Sequence, residues 1–251
     1  MFKITSIILA CVVLGTTAHS SIVVKDSDWN VTMYQDCHMK TKDIKKLKEN
    51  GNNFVRATLD KSSGIGCGAT DGFFKRQRAE IKTSELMQPG NVYEYTANVR
   101  FNNMIDYDAI FMQIHAKTGK NGKCYSENGK VTQPPIKLRM LGGLRTIAVE
   151  PAGWPTQKYI GPNVDVEGLF KVGQWTEVKI VLDLKIGESY ADLYINGKKL
   201  MNKQAVDTSN SCIKPWGNLG LYRDNLQRLQ RSNYEPISVD YDKVTLNKVS
   251  K

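Results

Sequence analysis

The side chains best suited to chemistry lie on a short segment that alternates polar and apolar residues. Residues 111–116 read Phe-Met-Gln-Ile-His-Ala. In a β-strand, Phe111, Gln113 and His115 face one side and the three intervening apolar residues face the other. His115 is one of three histidines in the chain, and imidazole titrates near neutral pH, so it is a candidate proton donor or acceptor. The alternative is a histidine that is merely hydrogen-bonded near a surface.

Three further segments place polar side chains on one parity of a predicted strand. Such side chains usually face solvent, but here cations, amides, one histidine and one tyrosine converge with few acids among them. This combination predicts a groove that binds an anion. The residues concerned are Arg76, Arg78, Glu80 and Lys82, then Lys137 and Arg139, then Asn218, Gly220 and Tyr222.

The elements that position these residues are predicted to be strands. Short alternating segments follow one another from Phe73 onward, and Asn196-Gly197 is a strong hairpin-turn signal. Strands are predicted at 54–59, 93–101, 110–116, 175–184, 190–195, 219–223 and 239–246, one short helix within 40–52, and a long loop at 150–168. We therefore expect an all-β fold, a single-domain antiparallel β-sandwich of the concanavalin-like jelly-roll type, over residues 21–251.

The N-terminus has the pattern of a secretory signal peptide at residues 1–20. Lys3 is followed by an apolar run at 7–14 and by the small-residue end Ala18-His19-Ser20. The apolar run is too short to span a bilayer, so we expect a secreted, extracellular protein without a membrane anchor.

The mature chain is basic. Removal of residues 1–20 leaves 34 Lys and Arg against 25 Asp and Glu, a net charge of +9. A basic exported protein implies an acidic partner, namely a polyanionic glycan, a nucleic acid or an anionic lipid. The absence of a basic amphipathic helix and of a recognisable nucleic-acid module argues against the last two. We expect a monomer that binds no nucleic acid and no membrane.

Four cysteines remain after the leader: Cys37, Cys67, Cys124 and Cys212. In an exported chain they predict two disulfides with three possible connectivities, and their wide spacing argues against a zinc site. Asn30-Val31-Thr32 is a glycosylation sequon, which predicts a glycoprotein if the source is eukaryotic.

Three motifs occur in an order that resembles the jelly-roll polysaccharide lyases. Arg78-Ala79-Glu80-Ile81, Gln113-Ile114-His115 and Gly220-Leu221-Tyr222 resemble signatures of the alginate lyase, glucuronan lyase and heparin lyase group. Segments 134–139, 193–198 and 239–242 are also similar, and the resemblance covers about residues 73–246. Alginate lyases commonly carry a lysine four residues before the tyrosine. This chain has Asn218 there, so a glucuronan-like or sulfated polymer stays open beside alginate.

The resemblance implies β-elimination on a uronic-acid polymer. Gln113, Arg78 and His115 would neutralise the substrate carboxylate, so that the proton on the adjacent carbon can be removed. Tyr222 would serve as acid and base for one sugar epimer and His115 as base for the other. Glu80 would anchor Arg78. Sugars along the polymer would bind to Arg76, Lys82, Lys137, Arg139 and Asn218.

The chemistry implied by the resemblance needs no cofactor. Related sandwiches often hold a structural calcium between the chain ends, and Asp26, Asp28, Asp240 and Asp242 are the acids placed to supply oxygen ligands. The alternative is that these acids are ordinary surface residues.

Two other functions compete with a lyase. A non-catalytic, lectin-like carbohydrate-binding β-sandwich would share the shape, but it has no need of a proton acceptor on a basic face. A sandwich-type glycoside hydrolase needs two carboxylates across the scissile bond, and the chain shows no matching acidic strand motif.

Overall fold

The structure is a computed structural model. It describes residues 23–26, 28–35, 43–60, 77–105, 108–116, 135–151, 161–185, 189–206, 215–223 and 236–249. Within these ranges the chain forms β-strands and one 3-10 turn, Gly142–Leu144. No helix in the described ranges is long and apolar enough to cross a membrane. The predicted signal peptide lies outside them and stays a prediction.

The described residues contain fifteen strands. In chain order they are β1 (Val23–Val24), β2 (Met33–Gln35), β3 (Ile44–Glu49), β4 (Asn52–Leu59), β5 (Gln77–Thr83), β6 (Val92–Phe101), β7 (Ala109–Ala116), β8 (Ile136–Met140), β9 (Thr146–Pro151), β10 (Asn163–Asp165), β11 (Thr176–Asp183), β12 (Ser189–Ile195), β13 (Lys198–Val206), β14 (Pro215–Arg223) and β15 (Ile237–Val249).

These strands make two antiparallel sheets. The first has the order β1-β2-β5-β14-β7-β8-β9-β10, and the second has the order β13-β12-β11-β6-β15-β4-β3. Strands distant in sequence are neighbours in both sheets, for example β5-β14-β7 in the first and β6-β15-β4 in the second, as in a jelly roll. The prediction of an all-β antiparallel sandwich is confirmed.

The core lies between the two sheets and is built from alternate residues of each strand. Phe101 of the second sheet contacts Phe111 of the first, with ring centroids 5.5 Å apart. Phe170 packs edge-on against both rings, at 5.6 and 6.2 Å. Edge-to-face contacts of this kind add about 0.5–1.5 kcal/mol each beyond the burial of apolar area.

A tyrosine of the second sheet ties two strands of the first together. The Tyr241 hydroxyl on β15 lies 2.7 Å from the carbonyl oxygen of Phe111 on β7 and 2.9 Å from that of Gly220 on β14. Tyr241 is fully buried, and burial raises the pKa of its phenol well above the ordinary value. The hydroxyl therefore stays protonated and shares its one proton between these two acceptors.

A β-bulge corrects the predicted faces of residues 111–116. Ile110 pairs with Arg139 and Met112 with Leu138, so Phe111 is an extra residue on β7. An extra residue reverses the alternation of side chains. Phe111 therefore points into the core, as Met112 does, and it does not share the face of Gln113 as the regular alternation predicted.

The predicted helix within residues 40–52 is wrong. Residues 44–49 form strand β3, which pairs with β4 at the edge of the second sheet. Ile44 is buried and the three lysines of β3 are exposed. The spacing of Ile44 and Leu47 suits one face of a helix, but pairing with β4 decides the local structure.

Most strand predictions are confirmed, and one loop prediction needs correction. Strands β11 and β12 match the predicted segments, and Asn196 and Gly197 turn between β12 and β13 with φ of 48° and 76°. Within the predicted loop 150–168, β9 extends to Pro151, and Asn163–Asp165 forms β10.

Candidate active site

Four predicted site residues, Lys82, Asn218, Gln113 and Lys137, lie in one row across the first sheet. Directly paired residues of neighbouring strands share a face of the sheet, and neighbouring strands are about 4.8 Å apart. The row takes one residue from each of β2, β5, β14, β7, β8 and β9: Tyr34, Lys82, Asn218, Gln113, Lys137 and Glu150.

His115 and Tyr222 lie on this same face. His115 is two residues beyond Gln113 on β7 and pairs with Trp216. Tyr222 pairs with Arg78 of β5, and the Arg78 guanidinium carbon lies 4.2 Å from the centre of the Tyr222 ring. The imidazole and the phenol therefore flank the Asn218–Gln113 pair on opposite sides along the strand direction.

Glu80 links the two groups of side chains. The residue is 1% exposed. One oxygen accepts a hydrogen bond from Arg78 Nη1 at 2.9 Å, and the other accepts one from Gln113 Nε2 at 2.5 Å. A buried carboxylate between two donors fixes the orientation of both donors. The expected anchoring of Arg78 is present in this geometry, and Gln113 is held as well.

Gly220 sets the close contact between β5 and β14 at this point. Its φ is 135°, and a Cβ built there would lie 2.1 Å from the carbonyl oxygen of Ala79. Only glycine fits such an approach. The β14–β7 register also breaks between Leu219 and Tyr222, so a bulge sets the position of Tyr222 relative to Gln113.

An aromatic contact orients His115. The rings of His115 and Trp216 are stacked, with centroids 4.9 Å apart and planes inclined by 23°. The Lys82 ammonium lies 6.0 Å from the centre of the Trp216 ring. The sequence motifs did not include Trp216, although its parity with Asn218 and Tyr222 would have placed it on the site face.

Lys137 and Arg139 share one acid that the sequence analysis missed. Glu150 of β9 accepts from Arg139 Nε at 2.5 Å and lies 2.8 Å from Lys137 Nζ. Burial would raise the pKa of Glu150, but the Arg139 hydrogen bond and the two cations outweigh it, so the pKa is lowered. A substrate carboxylate at Lys137 or Arg139 therefore meets cations that Glu150 already partly neutralises.

Several predicted residues are not brought to this site or cannot be placed. Arg76 and the four cysteines, Cys37, Cys67, Cys124 and Cys212, lie outside the described residues. The predicted calcium ligands belong elsewhere in the fold, and within the described ranges no three His, Cys, Asp or Glu residues form a metal-binding group.

Asp240 is held by arginines on the outer face of the second sheet. Its carboxylate accepts from Arg56 Nε at 2.6 Å and from Arg100 Nε at 3.0 Å. Asp242 accepts from Asn52 Nδ2 at 2.8 Å. Two guanidinium groups neutralise Asp240 without a metal, and a calcium ion at Asp26, Asp240 and Asp242 stays a prediction.

Comparison with known proteins identifies the family. A family model described as "Polysaccharide lyase" matches residues 21–244. The chain belongs to this polysaccharide lyase family. It is therefore an enzyme, and the lectin-like alternative is set aside. A search of curated protein sequences finds no match.

Solved alginate lyases share the fold of this lyase. The marine family 7 enzyme AlyA1 from Zobellia galactanivorans is similar with a TM-score of 0.56 and 12% identity, over 90% of this chain and 83% of that one. An alginate lyase from Pseudomonas aeruginosa has a TM-score of 0.54 and 14% identity, over 81% of this chain and 86% of that one. The alginate lyase from Corynebacterium sp. has a TM-score of 0.52 and 13% identity, over 84% of this chain and 82% of that one.

Proposed function

We propose that this lyase cleaves a uronate-containing polyanion by β-elimination. The observation that supports the proposal most strongly is the Arg78–Glu80–Gln113 chain of hydrogen bonds, which lies between Tyr222 and His115 on one face of the first sheet. This face offers donors for a sugar carboxylate and two proton-transferring groups beside them.

The chemistry explains why these residue types are needed together. The C5–H bond of the uronate breaks as its proton passes to a base. The C4–O bond then breaks, a C4=C5 double bond forms, and the leaving oxygen takes a proton. Negative charge develops on the carboxylate during the first step, so fixed donors that neutralise it lower the barrier. Arg78 and Gln113 supply those donors.

Two side chains are positioned to move the protons. A sugar carboxylate placed over Gln113 and Asn218 has the Tyr222 phenol on one side and the His115 imidazole on the other. Sugar epimers present the C5 proton on opposite faces of the ring. We propose that Tyr222 acts as base and acid when the proton and leaving oxygen lie on its side, and that His115 acts as base for the other epimer.

The polymer is the finer part of the proposal. The structural neighbours are named as alginate lyases, which makes alginate one candidate. Asn218 replaces the lysine common in alginate lyases, and a neutral amide removes one cation from the centre of the row. Glucuronan and glycosaminoglycans are therefore candidate substrates beside alginate.

We also propose export as a monomeric, disulfide-bonded protein. The N-terminal charge and apolar pattern, the four cysteines beyond it and the Asn30 sequon support this cellular setting. Mass spectrometry of the protein from its native culture medium would reveal cleavage after residue 20 and two disulfides. Recovery of the uncleaved, reduced chain from the cytosol would contradict export.

The test of the activity uses purified protein on alginate, glucuronan, hyaluronan and heparin separately. Ultraviolet absorbance of the unsaturated uronate product should rise on at least one polymer. Tyr222→Phe should lower kcat by about 10²–10⁴, and His115→Ala should do so on the epimer for which it is the base. Tyr194→Phe on the other sheet is the matched control. Absence of product from every polymer, or a Tyr222→Phe enzyme with full activity, would contradict the proposal.

A further inference from the structure

The row of site residues extends from Asn218 through Lys82 to an exposed aromatic ring on β2. Tyr34 of β2 pairs directly with Lys82 of β5, on the face that carries Asn218 and Gln113. Its side chain is 36% exposed, which makes it one of the few exposed large hydrophobic residues among those described. Two strand spacings separate Tyr34 from Asn218, or about 10 Å.

The space between Tyr34 and the reaction centre holds a cation and a second aromatic residue. The Lys82 ammonium lies 6.0 Å from the centre of the Trp216 ring, and Trp216 stacks on His115 at 4.9 Å. Aromatic faces stack on the apolar face of a sugar ring, while an ammonium pairs with its carboxylate. Tyr34, Lys82 and Trp216 together match both features of a uronate.

Both ends of the row carry cations. At the β8–β9 end, Glu150 accepts a hydrogen bond from Arg139 and forms an ion pair with Lys137. Two cations there share one acid. At the β2 end, Lys82 lies between Tyr34 and Asn218. Each end can therefore pair with an acidic sugar, and the β2 end adds the exposed Tyr34 ring to its cation.

We propose that Tyr34, Lys82 and Trp216 form a binding subsite for an acidic sugar of the polymer, roughly two sugar rings from the bond that is cleaved. The inference rests on the proposed function and adds to it a binding subsite at the β2 end of the row. The polymer crosses the strands of the first sheet and carries an acidic sugar at the β2 end. Tyr34 binds substrate and takes no part in proton transfer.

The test separates binding from chemistry. With the polymer that the wild-type enzyme cleaves best, Tyr34→Ala should raise KM about three- to tenfold while kcat stays the same, because a lost stacking contact weakens ground and transition states alike. Tyr34→Phe keeps the ring and should restore most of the affinity. With the shortest oligosaccharide that the enzyme cleaves, Tyr34→Ala should have a smaller effect, since that substrate does not reach β2.

A tyrosine on the other sheet provides the matched control. Tyr194 lies between Lys179 and Lys199, with ammonium-to-ring distances of 4.8 and 5.1 Å, so it has the same local chemistry away from the site. Tyr194→Ala should leave KM unchanged. Equal KM values for Tyr34→Ala and wild type would overturn the subsite while the lyase activity stands.

Binding without turnover distinguishes the two proposals. Affinity electrophoresis in gels that contain each polymer should retard the wild-type protein, and Tyr34→Ala should reduce the retardation. This result would support the subsite even if no polymer were cleaved, an outcome that would overturn the proposed reaction alone. Retardation that is unaffected by Tyr34→Ala, or absent for the wild type in every polymer, would overturn the subsite.

Discussion

Glu80 is the residue that joins Arg78 and Gln113, the two side chains proposed to bind the substrate carboxylate. It holds Arg78 and Gln113 through separate oxygens and is almost fully buried. Its contribution is orientation, because both of its oxygens face donors of the protein. If Glu80 positions these side chains, its replacement should lower kcat even under conditions in which the variant stays folded.

Glu80→Gln should lower kcat on the order of 10²-fold, because a small displacement of catalytic groups has effects of that size. A glutamine has one acceptor oxygen in place of two, so Arg78 or Gln113 loses its partner. Steady-state kinetics well below the unfolding temperature would measure the effect. Glu94→Gln, on the other sheet beside Lys179, is the control. Unchanged kcat in Glu80→Gln would show that Glu80 serves stability alone.

The surroundings of Glu150 predict how the stability of the fold depends on pH. Its pKa is lower in the folded protein than its ordinary value, because Arg139 and Lys137 outweigh the effect of burial. A carboxylate with a lowered folded-state pKa stabilises the fold above its unfolded-state pKa, and loses that contribution as pH falls through the folded-state value. Glu150→Gln should therefore be less stable than wild type at neutral pH by about 1 kcal/mol.

The gap between Glu150→Gln and wild type should close in acid. Urea denaturation at neutral pH and at a series of acidic pH values would follow the free energy of unfolding of both proteins. Glu177→Gln, which alters an exposed carboxylate on the second sheet, is the control. A gap of constant size across the whole range would be inconsistent with ionisation of Glu150 as its source.

At the scale of elements, two strands of the site depend on a tyrosine from the opposite sheet. Tyr241 of β15 bonds to the carbonyls of Phe111 and Gly220, at the bulges that precede Gln113 and Tyr222. Because a bulge can re-aim a side chain, this hydroxyl helps to set the distance between the Tyr222 phenol and the Gln113 amide.

Tyr241→Phe should cost about 1–3 kcal/mol, because it leaves buried carbonyls without their donor. It should also lower kcat more than it raises KM, since it displaces Tyr222. Tyr95→Phe is the matched control: the Tyr95 hydroxyl is buried and has no hydrogen-bond partner within the described ranges. Denaturation and kinetics on both variants would measure the effects. Equal kcat values for the two would contradict a role in positioning.

Local patterns predict strands better than they predict pairing. Alternation located β7, β11 and β12, and the motifs placed Arg78, Gln113 and His115 on strands. The bulge at Phe111 was missed because alternation assumes a regular register. Glu150 was missed because nothing local to β9 reveals that it pairs with β8. Residues 44–49 suit a helix or an edge strand equally, and only the partner strand decides.

At the scale of the molecule, the two sheets have different tasks. The first carries the site, and the outer face of the second carries a compact ionic cluster. In that cluster Arg100 bonds to Asp240 and Glu49 and stacks on Trp175, with 4.5 Å from guanidinium carbon to ring centre. This cluster fastens β3, β6 and β15 together on the sheet that does not carry the candidate site.

Asp240→Asn should therefore lower stability by about 3–5 kcal/mol, since it leaves two arginines beside a neutral partner, while kcat per folded molecule stays unchanged. Denaturation and activity measured on the same sample would test this. A chelator provides a second measurement: if Asp240 holds calcium, chelation should lower the unfolding midpoint of the wild type but not of Asp240→Asn. Loss of activity in fully folded Asp240→Asn would contradict the separation of tasks.

Both borders of the second sheet carry lysines. Lys45, Lys46 and Lys48 are exposed on β3, and Lys198, Lys199 and Lys203 are exposed on β13. Edge strands present unpaired backbone N–H and C=O groups, which can bind a strand of another molecule and start aggregation. Two copies that approached border to border would bring like charges together. The lyase should therefore stay dispersed at high concentration, and high salt, which screens these charges, should weaken that protection.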